Sequence, residues 1–137
     1  ILKNSPARVV LNQTHDLLHF AEAALVTSGT ATLETALIEV PEVVCYKGNL
    51  LSYEIAKRVI DVKYISLVNL IMDRLVVKEL IQNDLNEKNL TRELNLLLTD
   101  DTTKKRLKSD YAELKNKLGI SGASSRAAKI ITDFLSI

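Results

Sequence analysis

The Ala24–Tyr46 segment constrains the fold more than any other part of this chain. Its residues, ALVTSGTATLETALIEVPEVVCY, predict a short apolar strand, a turn of small residues, a helix and a second apolar strand. The first three residues run without a polar side chain, which is typical of a strand buried on both faces. The helix carries Leu33, Ala36 and Leu37 on one face, and a proline four residues later ends it. This order predicts part of an α/β fold with a parallel sheet.

A turn of three small residues, Ser28, Gly29 and Thr30, joins the first strand to the helix. Glycine lets the backbone turn tightly and approach a ligand closely. Threonine is a preferred residue at a helix N-cap, so Thr30 is expected to cap this helix. A strand, a tight turn and a helix together point backbone N–H groups at one spot. We therefore expect a site for an anion, above all a phosphate or diphosphate, at this turn.

Glu34 lies four residues after Thr30, one turn into the expected helix. The acid of a capping box would fall one residue earlier, at Leu33. A carboxylate in this place can bind a cis-diol such as a ribose, or it can simply complement the helix dipole. The spacing alone leaves both interpretations open.

Length and composition are typical of one aliphatic domain. The chain has 137 residues, of which 47% are hydrophobic and few are aromatic. Its 18 basic and 17 acidic residues nearly balance, which gives no indication of nucleic-acid binding. We expect neither a membrane span nor a signal peptide, and the missing initiator Met suggests a piece of a longer protein. The single Cys45 is expected to be a core residue in a reducing cytoplasm.

The periodicity predicts strands alternating with helices in the first half and helices alone in the second. The strands are expected at Val9–Leu11, Ala24–Thr27, Val43–Tyr46 and Tyr64–Leu67. The helices are expected at Asp16–Ala23, Thr32–Ile38, Ser52–Ile60, near Leu70, at Val76–Gln82 and from Asn86 onward. We therefore divide the chain into a partial α/β domain, residues 1–83, and a helical C-terminal extension, residues 84–137.

The helical half carries three apolar stripes. They consist of Leu90, Leu94, Leu97 and Leu98, then Leu107, Tyr111 and Leu114, and finally Ile130, Ile131, Phe134 and Leu135 in a last helix at Ser124–Leu135. Exposed stripes of this size usually mark a partner surface, so we expect self-association through these helices. The alternative is that the helices fold back on the chain's own sheet.

Two smaller patterns have both a functional and a structural interpretation. His15 and His19 have the spacing of two ligands to one metal ion, but no third ligand is evident, so we expect no metal site. Asn69 follows the fourth expected strand, and Gln82 ends the last helix before Asn86. Their amides suit a pyrimidine edge or a sugar hydroxyl, whereas an Asx turn and a solvated helix end are the structural alternatives.

Five segments of the chain together resemble a known enzyme family. They are SGTATLE at Ser28–Glu34, VPEVVCYK at Val40–Lys47, AKR at Ala56–Arg58, YISLVNLI at Tyr64–Ile71 and VKELIQ at Val77–Gln82. In this order and spacing they are similar to bacterial lipid A disaccharide synthase. After Asn83 the resemblance fades into a generic helical tail.

The resemblance implies a glycosyltransferase with two Rossmann-like domains, of which this chain would be part of the second. The family transfers 2,3-diacylglucosamine from UDP to the acceptor 2,3-diacylglucosamine 1-phosphate, forms the lipid A disaccharide precursor and releases UDP. Neither a metal nor another cofactor is expected. The catalytic base and the acceptor site belong to the first domain, so no catalytic residue is expected here. The resemblance also implies a homo-oligomer at the inner face of the cytoplasmic membrane, with membrane contact through the first domain.

The resemblance also implies which residues hold the donor nucleotide. The diphosphate would lie beside Ser28, Gly29 and Thr30, the ribose would bind Glu34, and the nucleotide pocket would be lined by Asn69 and Gln82. The fold would be an incomplete Rossmann-like parallel sheet with a helical C-terminal extension.

Two other classes of function stay open. One is a different UDP-sugar enzyme of the same fold, such as a 2-epimerase or the peptidoglycan glucosaminyltransferase. The other is a non-catalytic helical interaction module, in which Ser28–Glu34 is only a helix cap. Titration with UDP distinguishes a nucleotide-binding protein from an interaction module. Supplying the full-length protein with diacylated or with non-acylated UDP-sugar distinguishes the enzyme classes.

Overall fold

The computed structural model describes residues 6–48, 63–119 and 122–135, which form one parallel sheet surrounded by helices. The strands are β1 (Ala24–Thr27), β2 (Glu42–Tyr46) and β3 (Lys78–Ile81), in that order across the sheet. The helices are α1 (Thr14–Phe20), α2 (Thr30–Leu37), α3 (Leu67–Met72), α4 (Glu87–Thr99), α5 (Asp101–Leu118) and α6 (Ala123–Leu135), and a 3-10 turn at Gln82–Asp84 follows β3. The expected helix Ser52–Ile60 and the AKR segment lie outside the described residues.

The expected fold class is confirmed, because the strands are parallel and joined through helices in an open sheet. In the register of the sheet, Val26 pairs with Val44, and Val44 pairs with Glu79. The central strand β2 is buried on both faces along its first three residues, and its Val43 and Val44 are fully buried. An incomplete Rossmann-like sheet with a helical C-terminal part describes this arrangement.

The outer strand β1 is less buried than its sequence predicted. Ala24 and Val26 are half-buried, whereas Leu25 is 46% exposed. The expectation of a strand buried on both faces is therefore wrong here. Within the described residues β1 pairs with β2 on one side only, so this strand is an edge of the sheet.

The third strand of the sheet lies where a helix was expected. Tyr64–Leu67 is a loop that leads into α3, and the Val76–Gln82 segment contains β3. Short apolar runs fit a helix and a strand equally well, and here the pairing of β3 with β2 decides between them. The expected strand Val9–Leu11 is also wrong, because these residues are exposed and irregular.

The inward face of α2 is more polar than the apolar spacing predicted. Thr32, Thr35 and Ala36 are buried, whereas Leu37 is 39% exposed. Threonine can be buried here because each hydroxyl has an acceptor: Thr32 Oγ1 donates to Gly29 O and Thr35 Oγ1 to Ala31 O, both at 2.8 Å. The inclusion of Leu37 in the inward face is therefore wrong.

Helices α4 and α5 pack against the sheet and complete its core. Their stripe residues Leu97, Leu107, Tyr111 and Leu114 are buried in one cluster with Val43 and Val44 of β2. The expectation that these stripes form a partner surface is wrong, since they cover the chain's own sheet. The core thus joins residues from both sides of position 83, and the domain boundary there stays a prediction.

Helix α6 differs from the other C-terminal helices in its exposure. Every side chain from Ser124 to Leu135 is exposed, including Ile130, Ile131 and Phe134. Among the helices that the structure describes, α6 included, none combines the length and apolar character needed to cross a membrane. The third stripe is therefore the one left uncovered in the described part of the chain.

Candidate functional site

The carboxyl ends of the strands meet at one edge of the sheet, which is where open α/β folds bind ligands. β1 ends at Thr27 and leads directly into the Ser28–Thr30 turn. β3 ends at Ile81, paired with Tyr46 at the end of β2, and Gln82 follows it. The small-residue turn and Gln82 therefore leave the sheet from the same edge, as their roles in one site require.

Gly29 gives the turn its shape. Its φ of 135° and ψ of −160° lie in a region that glycine tolerates and other residues avoid. Apart from Gly29 itself and its two chain neighbours, no heavy atom of the described structure lies within 4 Å of the place where a Cβ would stand. The glycine is needed for the backbone conformation, and the space beside it is open.

Gly29, and not Thr30, occupies the N-cap position of α2. Thr30 is the first helical residue, so the expectation that it caps the helix is wrong. No side chain caps α2 within the described structure, whereas α3, α4 and α5 are capped by Ser66, Asn86 and Asp100. The N–H of Thr32 donates to Gly29 O at 3.2 Å. The first N–H groups of an α-helix have no acceptor one full turn back, so the start of α2 can offer donors to a ligand.

Ser28 precedes the N-cap position of α2, and its hydroxyl bonds to another part of the chain. Ser28 Oγ donates to the carbonyl oxygen of Ile65 at 2.9 Å. This bond joins residues 37 positions apart in the chain. The turn is therefore fixed to the loop before α3.

Glu34 lies one turn from this uncapped end of α2. Its side chain is 46% exposed, and its Oε2 lies 4.0 Å from Nε2 of His15 on α1. Both groups are largely in solvent, so their attraction contributes little to stability. The carboxylate is accessible to a ligand held at the turn, and His15 is a neighbour that the sequence analysis did not identify.

Asn69 is buried, and the protein uses all of its side-chain hydrogen-bonding capacity. Its Oδ1 accepts from the backbone N–H groups of Val76 at 2.8 Å and Val77 at 3.0 Å. Its Nδ2 donates to the carbonyl of Val77 at 2.9 Å and to Oε1 of Glu79 at 2.8 Å. Asn69 therefore fixes α3 to β3, and a direct contact with a ligand would require one of these bonds to break.

Gln82 is buried but incompletely paired. It lies at the end of a strand and not at the end of a helix, so that expectation is wrong. Its side chain is 7% exposed, and its Nε2 has no hydrogen-bond partner in the described structure. Its φ of 52° is uncommon for a residue other than glycine. A buried donor without an acceptor and a strained backbone are both features that functional sites commonly carry.

Two acidic residues of the sheet escaped the sequence analysis. Glu79 on β3 binds the loop before α3, and it was missed because this segment was expected to be helical. Glu42 begins β2 and is fully buried, with neither carboxylate oxygen paired in the described structure. A charged residue inside the apolar run VPEVVCY was the signal for Glu42.

Glu42 belongs to the opposite, amino edge of the sheet. Burial raises the pKa of its carboxyl to about 9, so this group is protonated at neutral pH. It lines a small cavity of about 110 Å³ together with Val77, Thr103 and Arg106. Tyr111 lies nearby, and its pKa is raised by burial and by Glu42. Its hydroxyl donates a hydrogen bond to Val40 O at 3.3 Å.

The described residues contain no cluster of three or more His, Cys, Asp or Glu side chains that could hold a metal ion. His19 Nδ1 lies 2.7 Å from the carbonyl oxygen of His15 within α1. Cys45 is partly buried against the core, as expected, and burial raises the pKa of its thiol.

Comparison with known proteins gives one consistent result. The family model described as lipid-A-disaccharide synthetase matches residues 3–131. The lipid-A-disaccharide synthase of Acidobacterium capsulatum is 41% identical over 133 residues, which is 96% of this chain and 33% of the relative. The synthase of Syntrophus aciditrophicus is 40% identical, over 88% of this chain and 32% of the relative. The synthase of Haemophilus ducreyi is also 40% identical, over 95% of this chain and 34% of the relative. The chain thus spans about a third of the length of these relatives.

Proposed function

We propose that this chain, which belongs to the lipid-A-disaccharide synthetase family, forms part of the donor-nucleotide site of a glycosyltransferase. The donor is UDP linked to 2,3-diacylglucosamine, and the acceptor is 2,3-diacylglucosamine 1-phosphate. The intact enzyme joins them into the lipid A disaccharide precursor and releases UDP. Family membership supports the choice of substrate pair, and the geometry of the carboxyl edge supports the choice of site residues.

The observation that carries this proposal is the uncapped N-terminus of α2 beside Gly29. Backbone N–H groups at a helix N-terminus bind a diphosphate well, because they are donors with a partial positive charge. Ser28 would fix the direction of the turn, while Gly29 and Thr30 would bring the backbone close to the diphosphate. The adjacent open side would admit the rest of the nucleotide.

Each of the other residues of the site would bind or support a different part of the nucleotide. Glu34, exposed one turn further along α2, would accept hydrogen bonds from the two hydroxyl groups of the ribose. Gln82 would donate a hydrogen bond from its unpaired Nε2 to a carbonyl oxygen of the pyrimidine ring. Asn69 would shape the pocket by fixing the strand that ends at Gln82, without contacting the nucleotide itself.

Calorimetric titration of UDP into a full-length synthase carrying this sequence tests the proposal. Glu34→Ala removes a charge-assisted hydrogen bond and should weaken UDP binding about ten- to a hundredfold. Gln82→Ala removes a neutral bond and should weaken binding by about tenfold or less. The control is Glu87→Ala, an exposed acid in the first turn of α4, which should leave the affinity unchanged. Unchanged affinity in both site variants would contradict the assignment.

We further propose that the 137-residue chain alone does not catalyse transfer. Glycosyl transfer needs a positioned base and an oriented acceptor beside the donor. The residues described here offer donor-side contacts, and we expect the base and the acceptor site in the other two thirds of the enzyme. A radiolabelled-donor assay should therefore show product with the full-length enzyme and none with the chain, and disaccharide formation by the chain would overturn this view.

The exposed helix α6 supports a proposal about assembly. Its side chains Ile130, Ile131, Phe134 and Leu135 form a solvent-facing apolar stripe, which usually marks a partner surface. We expect it to contact a second copy of the protein, because two-fold dimers that exchange a terminal helix are a common assembly. The assembly would work on the cytoplasmic side, at the inner membrane face, with membrane contact made by the remaining part of the enzyme.

Light scattering over a concentration series tests the assembly. The full chain should form dimers or larger assemblies, and truncation after Gly119 should shift them toward monomers. Ile131→Lys with Phe134→Lys should act like the truncation, whereas Lys129→Ala on the same helix should have little effect. A monomer at every concentration, with or without α6, would refute self-association.

A further inference from the structure

Glu79 accepts hydrogen bonds from three donors, two in the loop before α3 and one on α3 itself. Its Oε1 accepts from the backbone N–H of Ser66 at 3.0 Å and from Asn69 Nδ2 at 2.8 Å. The backbone N–H of Ile65 lies 3.2 Å from Oε1 and 3.1 Å from Oε2. An ionised carboxylate accepts hydrogen bonds only, and bonds to it are stronger than neutral ones. One side chain of β3 therefore fixes two consecutive peptide groups of this loop.

The loop that Glu79 holds is the same loop that holds the small-residue turn. The N–H of Ile65 donates to Glu79, and the carbonyl of Ile65 accepts from Ser28 Oγ at 2.9 Å. Both sides of this one residue are thus fixed, one by β3 and the other by the turn after β1. A continuous chain of hydrogen bonds connects Glu79 to the Ser28–Thr30 turn across the carboxyl edge of the sheet.

This chain also decides what the Ser28 hydroxyl can do. Its single proton is given to Ile65 O, so Ser28 Oγ has no proton to offer a phosphate oxygen. An ionised diphosphate presents acceptors only and therefore has to be held by other donors of the turn. The backbone N–H groups at the start of α2 supply these donors, and their direction depends on where Ser28 is fixed.

We propose that Glu79 is a positioning residue of the nucleotide site, acting through the Ile65–Ser66 backbone and Ser28 on the diphosphate-binding turn. This inference rests on the proposed function, since it concerns how the same site is held in shape. Glu79 does not contact the nucleotide. Its removal lets the loop relax, turns the Ser28 hydroxyl away from its acceptor and misaligns the N–H groups of α2.

A double-mutant cycle on UDP affinity tests the chain of bonds in a full-length synthase carrying this sequence. Glu79→Ala and Ser28→Ala should each weaken UDP binding about tenfold, because each breaks the same connection. The double variant should also bind UDP about tenfold more weakly, because the first change has already broken the connection that the second would break. Independent contributions would instead multiply to about a hundredfold, and that result would overturn the inference.

Two further variants separate positioning from a general loss of structure. Glu79→Gln keeps one acceptor oxygen for the loop and should recover much of the affinity, whereas Glu87→Ala on α4 should change nothing. In the full enzyme, Glu79→Ala should raise the KM for the donor with little change in kcat, as expected when ground-state binding is lost. If Glu79→Ala does not fold, the cycle is run with Glu79→Asp, whose shorter side chain does not keep all of these bonds, and independent losses there would likewise overturn the inference.

The outcomes also distinguish this inference from the proposed function. If the unmodified enzyme binds no UDP, the proposed function fails and Glu79 loses its role with it. If the unmodified enzyme binds UDP, Ser28→Ala weakens binding and Glu79→Ala does not, the site stands and the positioning role is refuted.

Discussion

Two buried polar side chains, Asn69 on α3 and Glu42 at the start of β2, show how differently buried polar groups are accommodated in this fold. Asn69 makes four hydrogen bonds, to Val76, Val77 and Glu79. Glu42 lies at the amino edge, and neither of its oxygens is paired in the described structure. The comparison teaches that pairing, and not burial alone, determines what a buried polar group does to stability.

The contrast has a simple electrostatic consequence. Because Asn69 is neutral and fully paired, its burial stabilises the link between α3 and β3. Glu42 has lost its hydration without gaining a partner, so it keeps its proton up to a pKa of about 9. The surroundings of Asn69 are held by polar contacts, whereas those of Glu42 tolerate an unpaired polar residue at a cost in stability.

The largest effect is expected from Asn69→Ala. The change leaves the buried N–H groups of Val76 and Val77 without their acceptor, each costing about 1–3 kcal/mol. We expect the free energy of unfolding to fall by roughly 3–5 kcal/mol, measured by urea denaturation. Asn116→Ala, at an exposed position of α5, is the matched control and should change stability by less than about 0.5 kcal/mol. Equal losses in the two variants would break the comparison.

The second prediction concerns Glu42→Met and has the opposite sign. Between pH 4.5 and about 9 the folded state keeps a proton that the unfolded state has already released. The free energy of unfolding therefore falls as the pH rises through this window. The slope corresponds to about 1.4 kcal/mol per pH unit. Methionine removes the titrating group, so at pH 7.5 the variant should be more stable by roughly 1–4 kcal/mol.

Denaturation at several pH values between 6 and 9 gives the measurement for this variant. The unmodified chain should lose stability steadily, and Glu42→Met should lose much less. Glu42→Gln is the control, because it removes the charge and the slope while leaving a polar group buried. An unchanged slope in Glu42→Met would show that another group causes the pH dependence.

A smaller loss is expected from Tyr111→Phe at the same edge. The tyrosine is buried, and its hydroxyl donates to Val40 O at 3.3 Å, a long bond. Removing the hydroxyl should cost about 0.5–1.5 kcal/mol by urea denaturation. Tyr46→Phe, at a position that is 40% exposed, should cost less and serves as the reference. A loss above that of Asn69→Ala would contradict the view that the bonds of Asn69 contribute more to stability than the polar contacts around Glu42.

The smallest effect is expected from the surface ion pair near the amino edge. Lys115 Nζ lies 2.5 Å from Glu39 Oε1, and the side chains are 39% and 44% exposed. The hydrogen bond and charge of Lys115 lower the pKa of Glu39, but solvent screens the pair. Lys115→Ala should therefore reduce stability by less than about 0.5 kcal/mol. Lys115→Met keeps much of the aliphatic stem, and 0.5 M salt should remove the stability difference between this variant and the unmodified chain.

Local signals explain what the sequence predicted correctly. Gly29 and the proline that follows α2 mark the turn and the helix end, so the strand, turn, helix and strand order was predicted from neighbouring residues alone. Asn86 and Gly119 likewise mark helix boundaries at α4 and α5. Such signals act within a few residues and need no knowledge of the rest of the fold.

Long-range contacts explain what the sequence could not predict. The position of the turn before α2 depends on Ser28, whose hydroxyl bonds to a residue 37 positions away. The strand β3 was mistaken for a helix because its pairing with β2 is not visible in a short apolar run. The network of Glu79 and Asn69 depends on that strand, so it was missed together with it.

Hydrogen–deuterium exchange of a full-length synthase carrying this sequence, with and without UDP, tests most directly that the carboxyl edge is the ligand side. The account predicts slower exchange in residues 28–34 and near Gln82, with no change around Glu42 at the amino edge. Protection at the amino edge alone, or no protection at either edge at saturating UDP, would contradict it.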